Sequence, residues 1–410
     1  MKPKKVLIIS YNFIPNYWSL GGVIRVVSLA EYLMSNNYEV HILTASGKFY
    51  SFFGYESLAN RINIDYVGSK RNSSKPKPTY KLIVAIGKLL RKISSQLLIP
   101  DRHLIEHYHF YRKAKAIIDT NNIYNIIVTS PPHSIQLVGN KLKNYYKEDI
   151  NYIIDYRDSW NATPIFRPKV LLAKNVSIYL ERQALARCDS FCYVSAPILK
   201  KVEKLCDLNI SSKSKLIMNG YTKMSERNLG SKSNPPIKIG YFGALNDNLH
   251  SFRNISPLLD VMHDSFFKSN IELHFYGHTR LKKYDNSDKK SIFLHGSVSH
   301  KAAIEEMHRM DFLLLVHTDT TSSDEVITGK FFEYISVKRP ILALASKNME
   351  AAKLIEKYKI GYVMDYQDPN DIKNKLKMVL QNSSFNFYKN KDFSIFKREE
   401  QYKKFLKIIK

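Results

Sequence analysis

Short apolar runs recur along the chain, separated by stretches with helical spacing. Val6 to Ser10 and Val40 to Thr44 are of strand length. Between them, Val23, Val26, Val27, Ala30, Leu33 and Met34 fall on one face of a helix over Gly22 to Met34. Strand, helix and strand at this spacing predict a βαβ unit, and so a parallel sheet. Further strands are predicted at Ile126–Thr129, Tyr152–Tyr156 and Phe191–Val194, with helices over 134–146 and 170–187. The polar stretch Lys223 to Pro236, with Gly230 and a Pro-Pro pair, reads as a linker. The rhythm then restarts. Strands are expected at Ile237–Phe242, Ile271–Tyr276, Ser291–Leu294, Phe312–Val316, Ile341–Ala345 and Gly361–Met364, with the clearest helix at His300–Met310. The expected fold class is α/β, with two Rossmann-like, doubly wound parallel-sheet domains facing a cleft. The first domain covers 1–222, a linker 223–236, and the second domain 237–385. A basic helical segment over 386–410 is expected to pack back on the first domain.

Length agrees with two cores, since 410 residues are long for one. Charge adds a constraint. The net formal charge is +26. Residues 1–220 hold 32 Lys/Arg against 15 Asp/Glu, so they carry +17 of it. A basic face attracts nucleic acid, anionic lipid or phosphorylated small molecules. Residues 70–115 are the most basic stretch, with 12 Lys/Arg and 2 Asp/Glu, and Tyr80 to Leu98 reads as a basic amphipathic helix. Such a helix suits an anionic membrane surface or an ordinary packed surface equally. Three sparse cysteines, Cys188, Cys192 and Cys206, read as buried thiols of a reducing compartment rather than a disulfide framework. The first apolar run is too short for a secretory leader, and no run approaches a membrane span. The expectation is a soluble or peripheral protein.

Candidate chemistry sits in loops that follow strands, where open α/β sheets bind ligands. The loop Tyr11–Gly22 ends in Gly21-Gly22 and opens a helix, so its amides could hold a phosphate. Thr129-Ser130-Pro131-Pro132-His133-Ser134 offers His133 to a substrate oxygen or phosphate. Asp155-Tyr156-Arg157-Asp158-Ser159-Trp160 places two acids around an arginine: the arginine suits phosphate, and an aspartate can accept a hydroxyl proton. The most informative segment runs from Asp324 to Tyr334. In it Glu325 and Glu333 bracket Gly329-Lys330 between two apolar runs. A carboxylate suits the paired hydroxyls of a sugar, and Lys330 at a helix start suits a diphosphate. The bland alternatives are a capping glutamate and a solvated lysine. Gly329-Lys330 is followed by Phe331, so the segment is not a Walker loop, and the Gly-x-Gly-x-x-Gly fingerprint is absent.

In order and spacing these pieces resemble the GT-B glycosyltransferases, in particular the large retaining family four and its bacterial surface-polysaccharide branch. Glu325 and Glu333 match the family's Glu-x7-Glu spacing, and TGKFFEYISVKRPILAL resembles one branch of it. HFYGH, FLHGSVSHKAAIEEMHRMD, TSPPHS, DYRDSW, LERQALARCDSFCYVS and IMNGY add to the resemblance, which spans essentially the whole chain. It implies a sugar transferred from a nucleotide-sugar donor to an oligosaccharide or lipid-linked acceptor, with retention. It implies that Glu333 binds the ribose, that Glu325 contacts the sugar, and that Gly329 and Lys330 face the diphosphate, approached by Gly22 from the other domain. Gly243, Arg253, His295 and Gly296 belong to the implied donor side. Asp155, Arg157, Asp158 and His133 line the implied acceptor side, and Arg157, Asp158, His133 and Glu325 stand nearest the chemistry. Where many members carry a Gly-Arg pair, this chain has Gly243-Ala244, and Arg253 or Lys330 is the expected source of the missing charge. Many members also carry a histidine where Arg157 falls.

No Asp-x-Asp triplet occurs, so a metal-independent enzyme with no cofactor is expected. The implied setting is capsule or O-antigen assembly on the cytoplasmic face of an anionic membrane. Two other readings fit parts of the sequence. A GT-B-fold nucleotide-sugar epimerase would share the donor site. A non-catalytic basic nucleic-acid binder would need a recognition module, and none is present.

Overall fold

The computed structural model describes residues 3–14, 20–46, 58, 61–68, 101–164, 166–168, 170–226, 235–248, 251–281, 290–318, 323–381 and 386–410. The basic stretch Tyr80–Leu98 and the loop residues 15–19 lie outside them. The chain forms two compact units. Unit 1 is Met1–Met218 with Gln401–Lys410, and unit 2 is Asn219–Glu400.

Unit 1 is a seven-stranded sheet of parallel pairs in the order β3-β2-β1-β4-β5-β6-β7. The strands are β1 (Lys4–Ser10), β2 (Tyr38–Ala45), β3 (Asn63–Val67), β4 (Asn125–Ser130), β5 (Asn151–Tyr156), β6 (Ser190–Tyr193) and β7 (Ser214–Leu216). Its helices are α1 (Leu20–Ser35), α2 (His107–Asn121), α3 (Gln136–Tyr146), α4 (Leu171–Arg187) and α5 (Ala196–Cys206). Every residue of β4 and β5 is buried, as expected for central parallel strands covered on both faces. Such strands read as continuous apolar runs, which makes them legible. The apolar pattern does not predict β3 or β7. β3 has one buried residue out of five, and β7 is three residues long at the sheet edge.

The last ten residues return to unit 1 from far along the chain. Tyr402 donates from its hydroxyl to the Arg25 carbonyl at 3.0 Å, and the Met218 amide donates to Gln401 Oε1 at 2.9 Å. Tyr402, Phe405, Ile408 and Ile409 join the same apolar cluster as Val26, Leu33 and Ile42.

Unit 2 carries a six-stranded sheet of parallel pairs in the order β12-β10-β8-β13-β14-β15. Its strands are β8 (Ile237–Phe242), β10 (Ile271–Tyr276), β12 (Ile292–Gly296), β13 (Phe312–His317), β14 (Ile341–Ala345) and β15 (Gly361–Asp365). Two short strands, β9 (Leu245–Asn246) and β11 (Thr279–Arg280), pair separately. The helices are α6 (Ser256–Met262), α7 (Ser265–Asn270), α8 (His300–Arg309), α9 (Gly329–Ser336), α10 (Glu350–Tyr358), α11 (Pro369–Gln381) and α12 (Arg398–Leu406), whose last residues belong to unit 1. α8 starts at Ser299, whose hydroxyl caps the Ala302 amide at 3.2 Å.

In each sheet the strand order reverses once, between β1 and β4 in unit 1 and between β8 and β13 in unit 2. Loops leave in opposite directions at such a point and open a crevice at the carboxyl edge. The chemistry-bearing segments lie at these two edges.

Candidate functional site

In unit 1 the charged groups at the carboxyl edge are satisfied by the protein itself. Arg25 of α1 and Asp155 of β5 form a bidentate pair, Nη2 to Oδ1 at 2.7 Å and Nε to Oδ2 at 3.0 Å. Both side chains are buried, and Thr129 donates to Asp155 Oδ2 at 2.9 Å. Burial alone would lower the Arg25 pKa, but Asp155 outweighs it and holds the guanidinium above its ordinary value. Arg157 is also committed to backbone. Its Nε donates to the Ser130 carbonyl at 3.0 Å and Nη2 to the Pro131 carbonyl at 2.7 Å, while Nη1 donates to the Gly22 carbonyl. Arg157 thus ties the start of α1 to the Pro-Pro loop. Burial pushes its pKa down, and the nearby Asp158 opposes that shift.

His133 is brought beside this group. It stacks on Trp160 with rings 5.9 Å apart and meets the edges of Tyr156 and Phe166. It is buried, and neither ring nitrogen makes a hydrogen bond within the protein. Burial, with Arg157 adding to it, lowers its pKa to about 3, so the ring is neutral at pH 7. The next residue is anchored: the Ser134 hydroxyl donates to Asp101 Oδ1 at 2.7 Å.

Unit 2 differs. Lys330, in the first turn of α9, reaches to Gly243 at the end of β8. A Cβ on Gly243 would lie 2.9 Å from both Lys330 Cε and Nζ, and the Gly243 backbone is at φ +136°, so only glycine fits. A Cβ on Gly277 would in turn lie 2.5 Å from the Gly243 carbonyl oxygen. Lys330 Nζ sits 5.0 Å from the Tyr241 ring centroid. Burial first, and Arg253 after it, lower the Lys330 pKa to about 8 against the opposing pull of Glu333. The backbone on either side of Arg253 is tied to Thr318, just past β13, and the Arg253 guanidinium lies 4.9 Å from the Phe252 ring centroid. The Thr318 amide donates to the Phe252 carbonyl at 2.9 Å, and its hydroxyl donates to the Ser251 carbonyl at 3.1 Å. The structure therefore brings two cations together at the switch point, around the segment where Ala244 stands.

The two acids flank Lys330 along the chain. Glu325 is buried in a short 3-10 turn, Ser323–Glu325. Glu333, half exposed on α9, faces His300 at 3.8 Å and raises its pKa. Thr328 precedes α9 but makes no capping bond, and its buried hydroxyl has no hydrogen-bond partner. A Cβ on Gly329 would meet nothing within 4 Å, so the start of α9 is open. On the other side of β8, Phe242, Tyr276 and His295 form a ring column, with centroids 4.6 Å and 4.2 Å apart. His295 and Gly296 are exposed at the end of β12, and the Gly277 amide donates to the Gly296 carbonyl at 2.6 Å. Among the described residues no three His, Cys, Asp or Glu side chains gather to hold a metal, and no helix is long and apolar enough to cross a membrane.

Sequence reasoning did not single out Arg25, Thr328, His300 or the Tyr276 column. Arg25 had no local signal, because its cover comes from Tyr402 and Phe405, far along the chain. Thr328 carried one, a Thr-Gly pair at a helix start.

No protein-family model and no curated protein matches the chain. Solved structures do. The apo form of a lipopolysaccharide outer core galactosyltransferase, WaaB, is 13% identical, with a TM-score of 0.62 and 99% of each chain covered. An alpha,alpha-trehalose-phosphate synthase (UDP-forming) from Burkholderia xenovorans, in complex with glucose-6-phosphate, is 10% identical, with a TM-score of 0.60 over 99% of this chain and 100% of that one. A glycosyltransferase from Rickettsia africae is 12% identical, with a TM-score of 0.57 over 100% of this chain and 98% of that one. At such identities the likeness is one of fold. Two Rossmann-like parallel-sheet units with these neighbours make the fold GT-B.

Proposed function

We propose that this chain is a hexosyl-type glycosyltransferase that moves a sugar from a nucleotide-sugar donor to a growing glycan, with retention at the anomeric carbon. The observation that carries this reading is the convergence of Lys330 and Arg253 at the carboxyl end of β8. Burial and, after it, the Arg253 charge make it costly to keep Lys330 protonated, and a diphosphate beside it would relieve that cost. Lys330 Nζ, the unpaired Thr328 hydroxyl and the first amides of α9 can all donate to it. Glu333 would accept the ribose hydroxyls, and Glu325 would face the transferring sugar. The exposed His295 and Gly296 would border the nucleobase.

The bond from the anomeric carbon to the phosphate oxygen breaks, and its electron pair stays on that oxygen, where the cations stabilise it. The acceptor oxygen bonds to the same carbon on the same face and passes its proton to the leaving phosphate. This route asks for no protein nucleophile and no metal. In unit 1, Asp155 and Arg157 would hold the acceptor loop in shape through the contacts described, leaving Asp158 and neutral His133 nearest the acceptor. We place the acceptor on a lipid at the inner face of an anionic membrane, in assembly of a surface polysaccharide such as capsule or O-antigen. The +17 of residues 1–220 supports that placement.

The test is a thermal-shift screen against UDP-, GDP-, CMP- and dTDP-sugars. One of them should stabilise the parent chain, and Glu333→Ala should lose that stabilisation. Equal stabilisation of the variant would sink the donor-site assignment. Net release of free nucleotide on adding acceptor separates transfer from epimerisation, which releases none.

A further inference from the structure

Helix α4 of unit 1 is apolar on two faces. Inward, Ala173, Ser177, Ala184 and Leu185 are buried, as the core requires. Outward, Leu172, Val176 and Tyr179 fall at i, i+4 and i+7, on one stripe of the helix. They are exposed, and the neighbouring Leu171 and Val170 are exposed too. Leu171 is 69% and Leu172 74% accessible, values that leave most of each side chain in water. A helix whose only partner was its own sheet would carry polar residues there.

The charges around this stripe are mostly of one sign. Among the described residues between Ser159 and Arg187 there are four bases, Arg167, Lys174, Arg182 and Arg187, and one acid, Glu181. Glu181 is buried, where it takes hydrogen bonds from Asn161 and Tyr156. The outward surface of α4 is therefore apolar and basic with no counter-charge of its own. On the adjacent α3, Lys141 is exposed, and that helix has no acid. An apolar stripe with an amphipathic tyrosine and flanking bases matches the boundary of an anionic bilayer. The leucines enter the acyl region and the cations meet lipid phosphates. Position agrees with this. α4 follows β5, so its first turn, with Leu171 and Leu172, lies at the same carboxyl edge as Arg157 and His133.

We infer that the outward face of α4, led by Leu171 and Leu172, docks unit 1 on an anionic lipid surface. This rests on the proposed reading only in naming the surface that would meet a lipid-borne acceptor. Its test does not depend on donor binding.

The full chain is floated with vesicles of phosphatidylcholine alone or mixed with phosphatidylglycerol. Binding to the anionic vesicles is expected. The double variant Leu171→Ser/Leu172→Ser should lose about tenfold in partitioning, with the same melting temperature and the same response to nucleotide-sugars. Lys174→Glu should weaken binding at low salt more than at high salt. A Leu172→Trp variant should show blue-shifted emission on anionic vesicles. Undiminished binding by the double variant, or unshifted emission from Leu172→Trp, would overturn the inference. So would a change from dimer to monomer in the double variant, since the face would then be covered by a second copy. If vesicle binding behaves as expected but no nucleotide-sugar binds, the inference stands and the proposed function falls.

Discussion

The two carboxyl edges use similar residues in opposite ways. At the edge of unit 1, the cations Arg25 and Arg157 are consumed by an aspartate and by backbone carbonyls. At the edge of unit 2, Lys330 and Arg253 are brought together with a hydroxyl left unpaired beside them. A charge whose hydrogen bonds are met internally holds the framework. Charges of one sign that converge in a partly buried site point to a ligand of the opposite sign. An arginine or lysine in a strand-end loop does not by itself say which it is.

The largest effect should come from breaking the satisfied pair. Asp155→Ala leaves Arg25 buried and uncompensated and should cost about 3–5 kcal/mol. Chemical denaturation would measure it, and a loss below about 1 kcal/mol would contradict the framework role.

The converse holds in unit 2. Lys330→Met removes a strained cation, so the ligand-free protein should gain on the order of 1 kcal/mol while losing donor binding. The parent's own stability carries the same signature. With the folded pKa lowered from 10.5 to about 8, the penalty is fully present below pH 8 and is relieved as pH rises toward 10.5. Stability of the parent relative to Lys330→Met should therefore rise across that window, read from paired melting curves.

The smallest effect belongs to His300 and Glu333, an exposed pair at 3.8 Å. His300→Ala should change stability by no more than about 1 kcal/mol. Because Glu333 raises the folded pKa of His300, that contribution is present below the unfolded value near 6.5 and is lost as pH rises through the folded pKa. An effect that persisted at pH 9 would argue against an ion pair.

Much of this architecture was legible in the chain, because central parallel strands write themselves as apolar runs. Ile271–Tyr276 and Ile341–Ala345 coincide with β10 and β14. The edge strands β3 and β7 were illegible because half-buried or very short strands leave no run. In the candidate site, the Glu325–Glu333 segment stood out through its spacing, and its setting after β13 and at α9 agrees with the strand, loop and helix order read from the text. The distinction between the two edges was not legible. It depends on where Asp155, Gly22 and Gly243 lie in space, and residues 130 positions apart meet in the Arg25–Asp155 pair. The exposed stripe on α4 was equally hidden, since the sequence marks it only as a helix rich in apolar residues.

Whether Lys330 holds the diphosphate is tested by calorimetric titration with UDP, GDP and dTDP from pH 7 to pH 9.5. One of them is expected to bind, with affinity falling about tenfold per pH unit above pH 8 and with uptake of a proton on binding there. Lys330→Met should abolish both the binding and the proton uptake. Affinity independent of pH, or equal binding by the variant, would contradict the claim that Lys330 holds the diphosphate.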